Sequence, residues 1–333
     1  MLFVCLNIFG QQDEQWSHYF FNQQYYNPGF SGVEEISRAT LIHRSQWLGY
    51  EATIVDDRAG GAPLQQNLSL TQPLRIGSKK INSGVGLTLN NDQLGPFRKL
   101  DAKLDLAYHY RPYFGGVFGF GVRASFESLS IDGSLLRERD ENDPVVEAFG
   151  SEKSSQIKPN MGAGIYYNSP VFFASLAVHD FFENSIDFNT NSDSVNFTFD
   201  RSIWFSTGYN FFVDDFTITP SLHSKSDFYS GSMNLGVLAN YNNFKYWLGI
   251  NTRTSMAYQS VDSRRPSVDD LNFFVGIGLL SQNALRVGYA FDLVLSGQSA
   301  KSQTSHEIML SYAVSLLNDK RRTPIKDPRY NFD

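Results

Sequence analysis

Six ionisable side chains lie at alternating positions in two neighbouring segments of the first half of the chain. If both segments are β-strands, the side chains within each strand all point to one face. Acids and bases gathered in this way usually form a paired, solvated network. They could also line a conduit or bind a segment that enters between them. The six residues are Asp101, Lys103, Asp105, His109, Arg123 and Glu127.

The familiar catalytic and metal-binding patterns are missing from the sequence. None of the six His residues stands at the spacing of a zinc-binding HExxH helix, and no GxSxG or Walker motif occurs. Ser305, His306 and Glu307 are consecutive, so in a strand they point to opposite faces and cannot form a triad. The acidic stretch 137–147 could bind calcium, although such stretches are usually solvated loops. We predict no catalytic, cofactor-binding or metal-binding residues.

Period-two alternation of apolar and polar residues runs through the chain from about residue 36 to residue 315. In the last such segment Leu310 and Tyr312 share one face, and Met309 and Ser311 share the other. This pattern predicts β-strands with one apolar face and one small or polar face. We count roughly fourteen segments of about ten residues, the length that a tilted strand needs to cross a bilayer.

The composition fits a membrane β-protein. Hydrophobic residues make up 41% and charged residues 19% of the 333 residues, which excludes a disordered chain and a bundle of membrane helices. Aromatic residues reach 15%, a content that membrane barrels use in girdles at the two interfaces. The net charge of −6 argues against a nucleic-acid partner. A chain with one Cys cannot form an internal disulfide.

The connections between the predicted strands alternate in length. Those after even-numbered strands are short, as at 169–170 and 242–243, whereas those after odd-numbered strands are mostly long, as at 129–159 and 253–270. A soluble β-sandwich gives no reason for this alternation. It predicts an all-β fold, a single antiparallel outer-membrane β-barrel with short periplasmic turns and long extracellular loops. Both termini then face the periplasm.

If the protein is a barrel in a lipid bilayer, the six ionisable residues can point in only one direction. A charge that faces lipid near the midplane costs about 2–4 kcal/mol, so these side chains must face the lumen. The two readings of the set then become a network that stiffens the barrel, or a conduit lining or binding site for a segment that enters it.

The chain divides into four regions on these grounds. Residues 1–10 resemble the remnant of a signal peptide, with a short apolar core but no basic start. Residues 11–35 form an aromatic, amide-rich stretch without a clean period, which we predict to be an N-terminal periplasmic or plug segment. Residues 36–315 form the barrel, and residues 316–333 form a C-terminal periplasmic tail.

Five stretches in order along the chain resemble motifs of the PorP/SprF family of type IX secretion system membrane proteins. Gly29 departs from the family pattern, in which Ala is commoner at that position. The stretches are QQYYNPGFSG at 23–32, RSQW at 44–47, NDQLGP at 91–96, PNMGAGIYY at 159–167, and the closing hairpin at 289–312.

This resemblance implies an integral outer-membrane barrel without enzymatic activity. Family members work with the type IX secretion machinery of gliding and secreting Gram-negative bacteria, and some export or hold a large surface adhesin through its C-terminal domain. The family offers no catalytic residues to carry over, so we expect its motif residues to be structural. Asn27, Pro28 and Gly32 would fix the N-terminal turn, Arg44 and Trp47 would end the first strand, and Asp92 and Gly95 would shape a loop.

Three functions from different classes are compatible with the residues. The first is a secretion and anchoring component that holds a partner protein. The second is an outer-membrane porin or a fatty-acid-type transporter. The third is an outer-membrane enzyme such as a lipase, for which no nucleophile, base and orienting group are visible. The residues also leave open whether the lumen is empty or is filled by residues 11–32.

Overall fold

The computed structural model describes residues 16–46, 62–76, 79–136, 153–189, 194–228, 230–257, 267–295 and 304–314. The predictions for the signal-peptide remnant 1–10, for Trp47, for the acidic stretch 137–147 and for the tail 316–333 fall outside these residues.

The described residues form β-strands that follow one another around a barrel wall. Apolar and polar residues alternate along them, so one face of the sheet suits lipid and the other suits an enclosed interior. The strands are β1 (Ser37–Ser45), β2 (Leu64–Ile76), β3 (Lys79–Leu94), β4 (Phe97–Tyr110), β5 (Val117–Asp132), β6 (Lys153–Asn168), β7 (Phe172–His179), β8 (Ser185–Asn189), β9 (Ser194–Thr198), β10 (Ser202–Tyr209), β11 (Phe211–Val213), β12 (Phe216–Ser226), β13 (Ser230–Tyr241), β14 (Tyr246–Ala257), β15 (Ser267–Leu279), β16 (Leu285–Val294) and β17 (Ser305–Val314).

Antiparallel pairing closes these strands into a ring. Each wall strand pairs with its neighbours in sequence, and β1 pairs with β17 to close the sheet, for example at Leu41 and Leu310. Strands β10 and β11 together make one wall strand, while β8 and β9 form a separate hairpin. The wall therefore has fourteen strands, and the predicted all-β, single antiparallel barrel is confirmed.

The two faces of the wall differ as the alternation predicts. Along β5 the side chains of Phe120, Val122 and Phe126 are exposed on the outside, whereas Arg123 and Glu127 on the opposite face are buried. The same division holds around the ring, with exposed Leu, Ile, Phe and Tyr outside and buried Asn, Ser, Asp and Arg inside. In a membrane, lipid covers the first set and the barrel interior shields the second.

One local expectation, that Asp92 and Gly95 shape a loop, is corrected by the structure. Asp92 does not lie in a loop, because β3 extends to Leu94 and Asp92 pairs there with Lys99 of β4. The turn that joins these strands consists of Gly95 and Pro96 alone, and Gly95 adopts a left-handed φ of 57°. These strands are longer than predicted because polar residues continue the pairing beyond the apolar stretch.

The wall strand within residues 201–213 is not continuous. Its pairing with β12 stops after Gly208 and Ser221 and resumes at Phe211 and Ile218. Pro220 lies in the interrupted stretch and has no N–H to donate to a ladder. The wall strand is therefore divided at Asn210 into β10 and β11.

The β8–β9 hairpin builds a small hydrophobic core at the long-connection end of the wall. Leu129 and Ile131 lie on the inward face near the end of β5. They pack with Ile186, Phe188 and Phe199. The hairpin therefore lies on the inner side of the wall at this end.

Between residues 16 and 36, the part of the chain before β1 that the structure describes, the only regular elements are short helical turns. Tyr19–Phe21 and Pro28–Phe30 are 3₁₀ turns, and Gln23–Tyr26 is the single α-helical turn α1. Two further 3₁₀ turns lie at Gly133–Leu135 and Ser281–Asn283. Among the described residues, no helix is long and apolar enough to cross a membrane.

Candidate functional site in the barrel lumen

Residues 16–34, which we call the luminal segment, lie inside the barrel. All of them are buried, although they belong to no sheet. Their side chains and backbone contact the inward faces of strands from β1 and β2 around the ring to β17, which only a position within the ring allows. The interior of the barrel is thus occupied by the chain itself.

The segment is oriented along the barrel. His18 meets Glu307, the third residue of β17 after a long connection. Ser31 accepts a hydrogen bond through its carbonyl from His109, which is the last residue but one of β4 before a short connection. The chain therefore runs from the long-connection half of the lumen to the short-connection end, where β1 begins.

Two carboxylates on neighbouring strands hold the first residues of the segment. Glu307 accepts hydrogen bonds from the backbone N–H groups of Ser17 and His18, both at 2.9 Å, and its Oε1 lies 2.7 Å from His18 Nδ1. Asp292 accepts from the Ser17 hydroxyl at 2.7 Å and is paired with Arg44 at 2.6 Å. We call Glu307, Asp292 and Arg44 the acidic anchor.

A buried guanidinium holds the middle of the segment. It donates hydrogen bonds to backbone carbonyls, whereas the acidic anchor accepts them from backbone N–H groups. Arg123 donates to the carbonyl oxygens of Gln24 and Tyr25, both at 2.8 Å. These carbonyls belong to the end of α1, where helical carbonyls lack partners of their own. Arg123 also forms a two-pronged pair with Asp105, at 2.7 Å on both sides, and Asp105 accepts from the Gln24 side chain. We call Arg123 and Asp105 the basic anchor.

Glycines on the inner wall make room for the backbone of the segment. A Cβ atom at Gly121 of β5 would overlap the backbone of Pro28 and Gly29, and one at Gly119 would overlap the Gly29 carbonyl. A Cβ at Gly84 of β3 would overlap the Ser31 carbonyl. The wall is therefore shaped to let another stretch of backbone lie directly against it.

The N-terminal motif residues form the turn that seats the segment. The Asn27 side chain accepts from Gly29 N at 2.7 Å and caps the turn that starts at Pro28. Its amide group donates to Ser175 Oγ at 2.8 Å and to the carbonyl oxygen of Ile165 at 3.0 Å. Gly32 has a left-handed φ of 75° and donates from its backbone to a wall threonine. The family resemblance predicts a structural role for Asn27, Pro28 and Gly32 in this turn.

The remaining ionisable residues of the predicted set also face the lumen. Asp101 faces Lys103 at 3.7 Å, and the Lys103 ammonium lies 4.6 Å from the centre of the Tyr25 ring. Glu127 is buried and, together with His179, lines a small cavity beside these groups. The six ionisable residues thus gather around the luminal segment rather than along an open conduit.

Aromatic packing fills the remaining space. Tyr26 packs against Trp204, with ring centres 5.3 Å apart, and Phe21 packs against Trp247 at the same separation. Burial raises the pKa of the Tyr26 phenol above its usual value, so this hydroxyl stays protonated beside the backbone N–H of Trp16. These rings and their wall partners form one hydrophobic core inside the barrel.

The sequence did not reveal Glu307, Asp292 and His18 as a cluster. Glu307 and Asp292 were recognisable as polar residues on the inward faces of the closing hairpin, but their partners in the luminal segment are nearly a whole chain away. Ser305 and Glu307 are buried on the inward face, whereas His306 bonds Tyr289 on the outward face at 2.6 Å. Among the described residues, no group of His, Cys, Asp and Glu side chains could hold a metal ion.

Comparison with known proteins gives a family and a fold. The family model of the type IX secretion system membrane protein PorP/SprF matches residues 8–312. No curated protein matches the chain. The chain is similar in structure to the toluene transporter TodX of Pseudomonas putida, with a TM-score of 0.51 and 10% identity over 86% of this chain and 92% of TodX. A FadL homologue of Pseudomonas aeruginosa gives a TM-score of 0.48 and 11% identity over 86% and 91% of the two chains.

These findings agree with the closed wall and its apolar outer surface. The likeness to TodX at 10% identity shows the fold alone, which is that of an outer-membrane barrel. The family match covers nearly the whole chain, including the luminal segment and both anchors. The protein is therefore an outer-membrane barrel that belongs to the PorP/SprF family of type IX secretion system membrane proteins.

Proposed function

We propose that the protein is a non-enzymatic component of the type IX secretion system that supports the export or surface anchoring of a large adhesin. In this proposal it binds the C-terminal domain of the adhesin and acts beside the secretion machinery. The observation that carries the proposal is the occupied lumen. A barrel whose interior is filled by its own chain works through its surfaces rather than as an open channel.

The contacts of the luminal segment support a role as a plug. Buried polar groups cost free energy unless they are hydrogen-bonded, and both anchors satisfy theirs partly through the segment. We therefore propose that residues 11–35 act as a plug and that the six ionisable residues serve to hold it. This favours the binding-site reading of those residues, with the chain's own N-terminal region as the bound segment.

The long-connection end has an ordered, polar surface that a partner could contact. Ser128, Ser130 and Asp132 continue the outward face of β5 with polar residues, so this end of the strand extends past the apolar band. The β8–β9 hairpin packs behind it. We propose that this end faces the outside and that the short-connection end, where β1 starts and β17 ends, faces the periplasm.

The test is recovery of partners from the outer membrane. The tagged full-length protein would be purified in mild detergent from its own outer membranes, and co-purifying proteins would be identified by mass spectrometry. We expect a large surface protein or components of the type IX machinery. Recovery should fall when polar loops at the long-connection end are replaced. A monomer that purifies without partners, under conditions in which it stays folded, would contradict the proposal.

The porin or transporter function has one observation in its favour, the fold shared with a toluene transporter. Planar-bilayer conductance and liposome flux separate the two functions. We expect the wild-type protein to be silent, because the luminal segment fills the pore. Steady ion or solute flux through the wild-type protein would favour the transporter.

A further inference from the structure

A groove on the outer surface of the barrel has no role in the proposed function. It has a volume of about 640 Å³ and crosses β10, β12, β13, β14 and β15. Ligand sites in proteins commonly enclose about 300–1,000 Å³. Its rim consists of outward side chains, among them Tyr209, Leu235, Val237 and Ile250, which are exposed. No residue that lines it is charged, and all of these residues belong to described strands.

The groove follows an interruption of the wall. It borders the place where Pro220 leaves β10 and β12 unpaired for a short stretch. Asn210 bridges the gap, because its side chain donates to the Pro170 carbonyl and accepts from Thr219. Within hydrocarbon every backbone group needs an internal partner, so this bridging lets the wall bend without exposing polar groups to lipid.

The luminal segment closes the groove from the inside. The Tyr19 hydroxyl lies 2.5 Å from the hydroxyl of Ser221, one of the residues at the floor of the groove. Gly236, also at the floor, lies against the Tyr19 hydroxyl. At Gly208 the floor is backed by the ring of Phe173, a wall residue of β7. The groove is therefore open to the lipid side and sealed on the lumen side.

We propose that this groove binds the acyl chain of a membrane lipid. Leu235 and Val237 lie midway along β13, so the groove sits near the middle of the hydrocarbon layer, out of reach of headgroups. Its lining offers dispersion contacts and no charge that could recognise a headgroup. The surrounding acyl chains are the molecules that meet such a surface, and a concave apolar wall confines a chain more than a convex one does.

The test uses phospholipids that carry a photoreactive diazirine near the end of one acyl chain. Full-length protein would be reconstituted in vesicles of these lipids and irradiated, and the labelled residues would be mapped by mass spectrometry. We expect Leu235 and Ile250 to be labelled several-fold more than Leu104 and Leu106, which are lipid-facing residues of β4. Equal labelling of both sets would overturn the proposal.

Matched variants show whether the groove itself causes the excess. Val237→Trp should fill the groove and lower labelling at Leu235 and Ile250 to the level of β4. Val122→Trp makes the same change on lipid-facing β5 and should leave the labelling unchanged. Equal labelling by a lipid with its diazirine in the headgroup would overturn the assignment to an acyl chain. Cross-links between two copies of the protein at the groove would assign it to self-association instead.

Discussion

The two anchors of the luminal segment solve the same problem with opposite charges. In the basic anchor, Arg123 has its counter-ion in the wall, because Asp105 lies beside it on β4. In the acidic anchor, the closest side-chain partner of Glu307 is the His18 imidazole of the segment, 2.7 Å away. If the segment left the lumen, Arg123 would keep a partner, whereas Glu307 would lose His18 and two backbone donors.

The two anchors therefore have different roles: the basic anchor positions the segment, and the acidic anchor retains it in the lumen. A buried charge that loses its partner is strongly destabilising, so the acidic anchor makes an occupied lumen the favourable state. The basic anchor recognises two backbone carbonyls, a feature of any peptide, and gains its selectivity from the glycine-lined wall beside it. The following variants test this assignment, in order of decreasing expected effect.

Replacing the buried guanidinium should cause the largest loss in the free energy of unfolding. Arg123→Met removes the guanidinium from the buried Asp105 carboxylate and from the carbonyls of Gln24 and Tyr25, and breaking a buried pair in this way costs about 3–5 kcal/mol. We expect a lower urea midpoint for the folded barrel, measured by its heat-modifiable mobility in detergent. Arg201→Met is the control, since the Arg201 side chain is 44% exposed and should change little. Equal midpoints for the two variants would refute the importance of the basic anchor.

Neutralising the acidic anchor should release only the first part of the segment. Glu307→Gln keeps the shape of the side chain and an acceptor oxygen, but its bonds to Ser17 and His18 lose their charge assistance, which weakens each from about 1.5–3 kcal/mol to about 0.5–1.5 kcal/mol. Hydrogen exchange should accelerate in peptides that cover residues 16–22 and stay slow in those that cover residues 24–31. Uniform acceleration along the segment would show that the two anchors do not act separately.

A methyl group on the inner wall should produce the reverse pattern. Gly121→Ala places a Cβ where Pro28 and Gly29 lie, and overpacking of this kind costs about 1–3 kcal/mol. Exchange should rise around Gly29 while Ser17 stays protected. Ser125→Ala, at another buried inward position of β5, is the matched control. A similar change in the control would mean that the substitution perturbed strand β5 itself and not the contact of Gly121 with Pro28 and Gly29.

The smallest effect belongs to a contact between the anchors. Tyr19→Phe removes one hydroxyl bonded to Ser221 and keeps the ring that packs beside it. A net loss of about 0.5–1.5 kcal/mol is expected, as for a single neutral hydrogen bond. The urea midpoint should fall slightly, with both ends of the segment still protected. Loss of protection at either anchor would show that Tyr19 couples them.

The wall was predictable because its rules are local. Alternation assigns each residue of a strand such as β5 to one face, and connection length then orders the strands, so a single sequence sufficed for the fourteen-strand barrel. The sequence left a plug as one of two alternatives for residues 11–35, but the conformation and contacts of the luminal segment were not predictable, because its short turns have no period and are fixed by contacts with distant strands. The glycines at 84, 119 and 121 were visible on the inward faces, and their clustering was the one local sign that something lies against the wall.

The contact between Ser17 and Glu307 joins residues 290 positions apart, and β1 closes the sheet by pairing with β17. Contacts of such high sequence separation form late, since the intervening chain must first be ordered. The contacts of Ser17 and His18 with Glu307 must therefore wait for β17, the last of the described wall strands. Formation of the acidic anchor therefore requires β17, and a chain that ends before β17 can neither close its sheet nor hold Ser17 and His18 through Glu307.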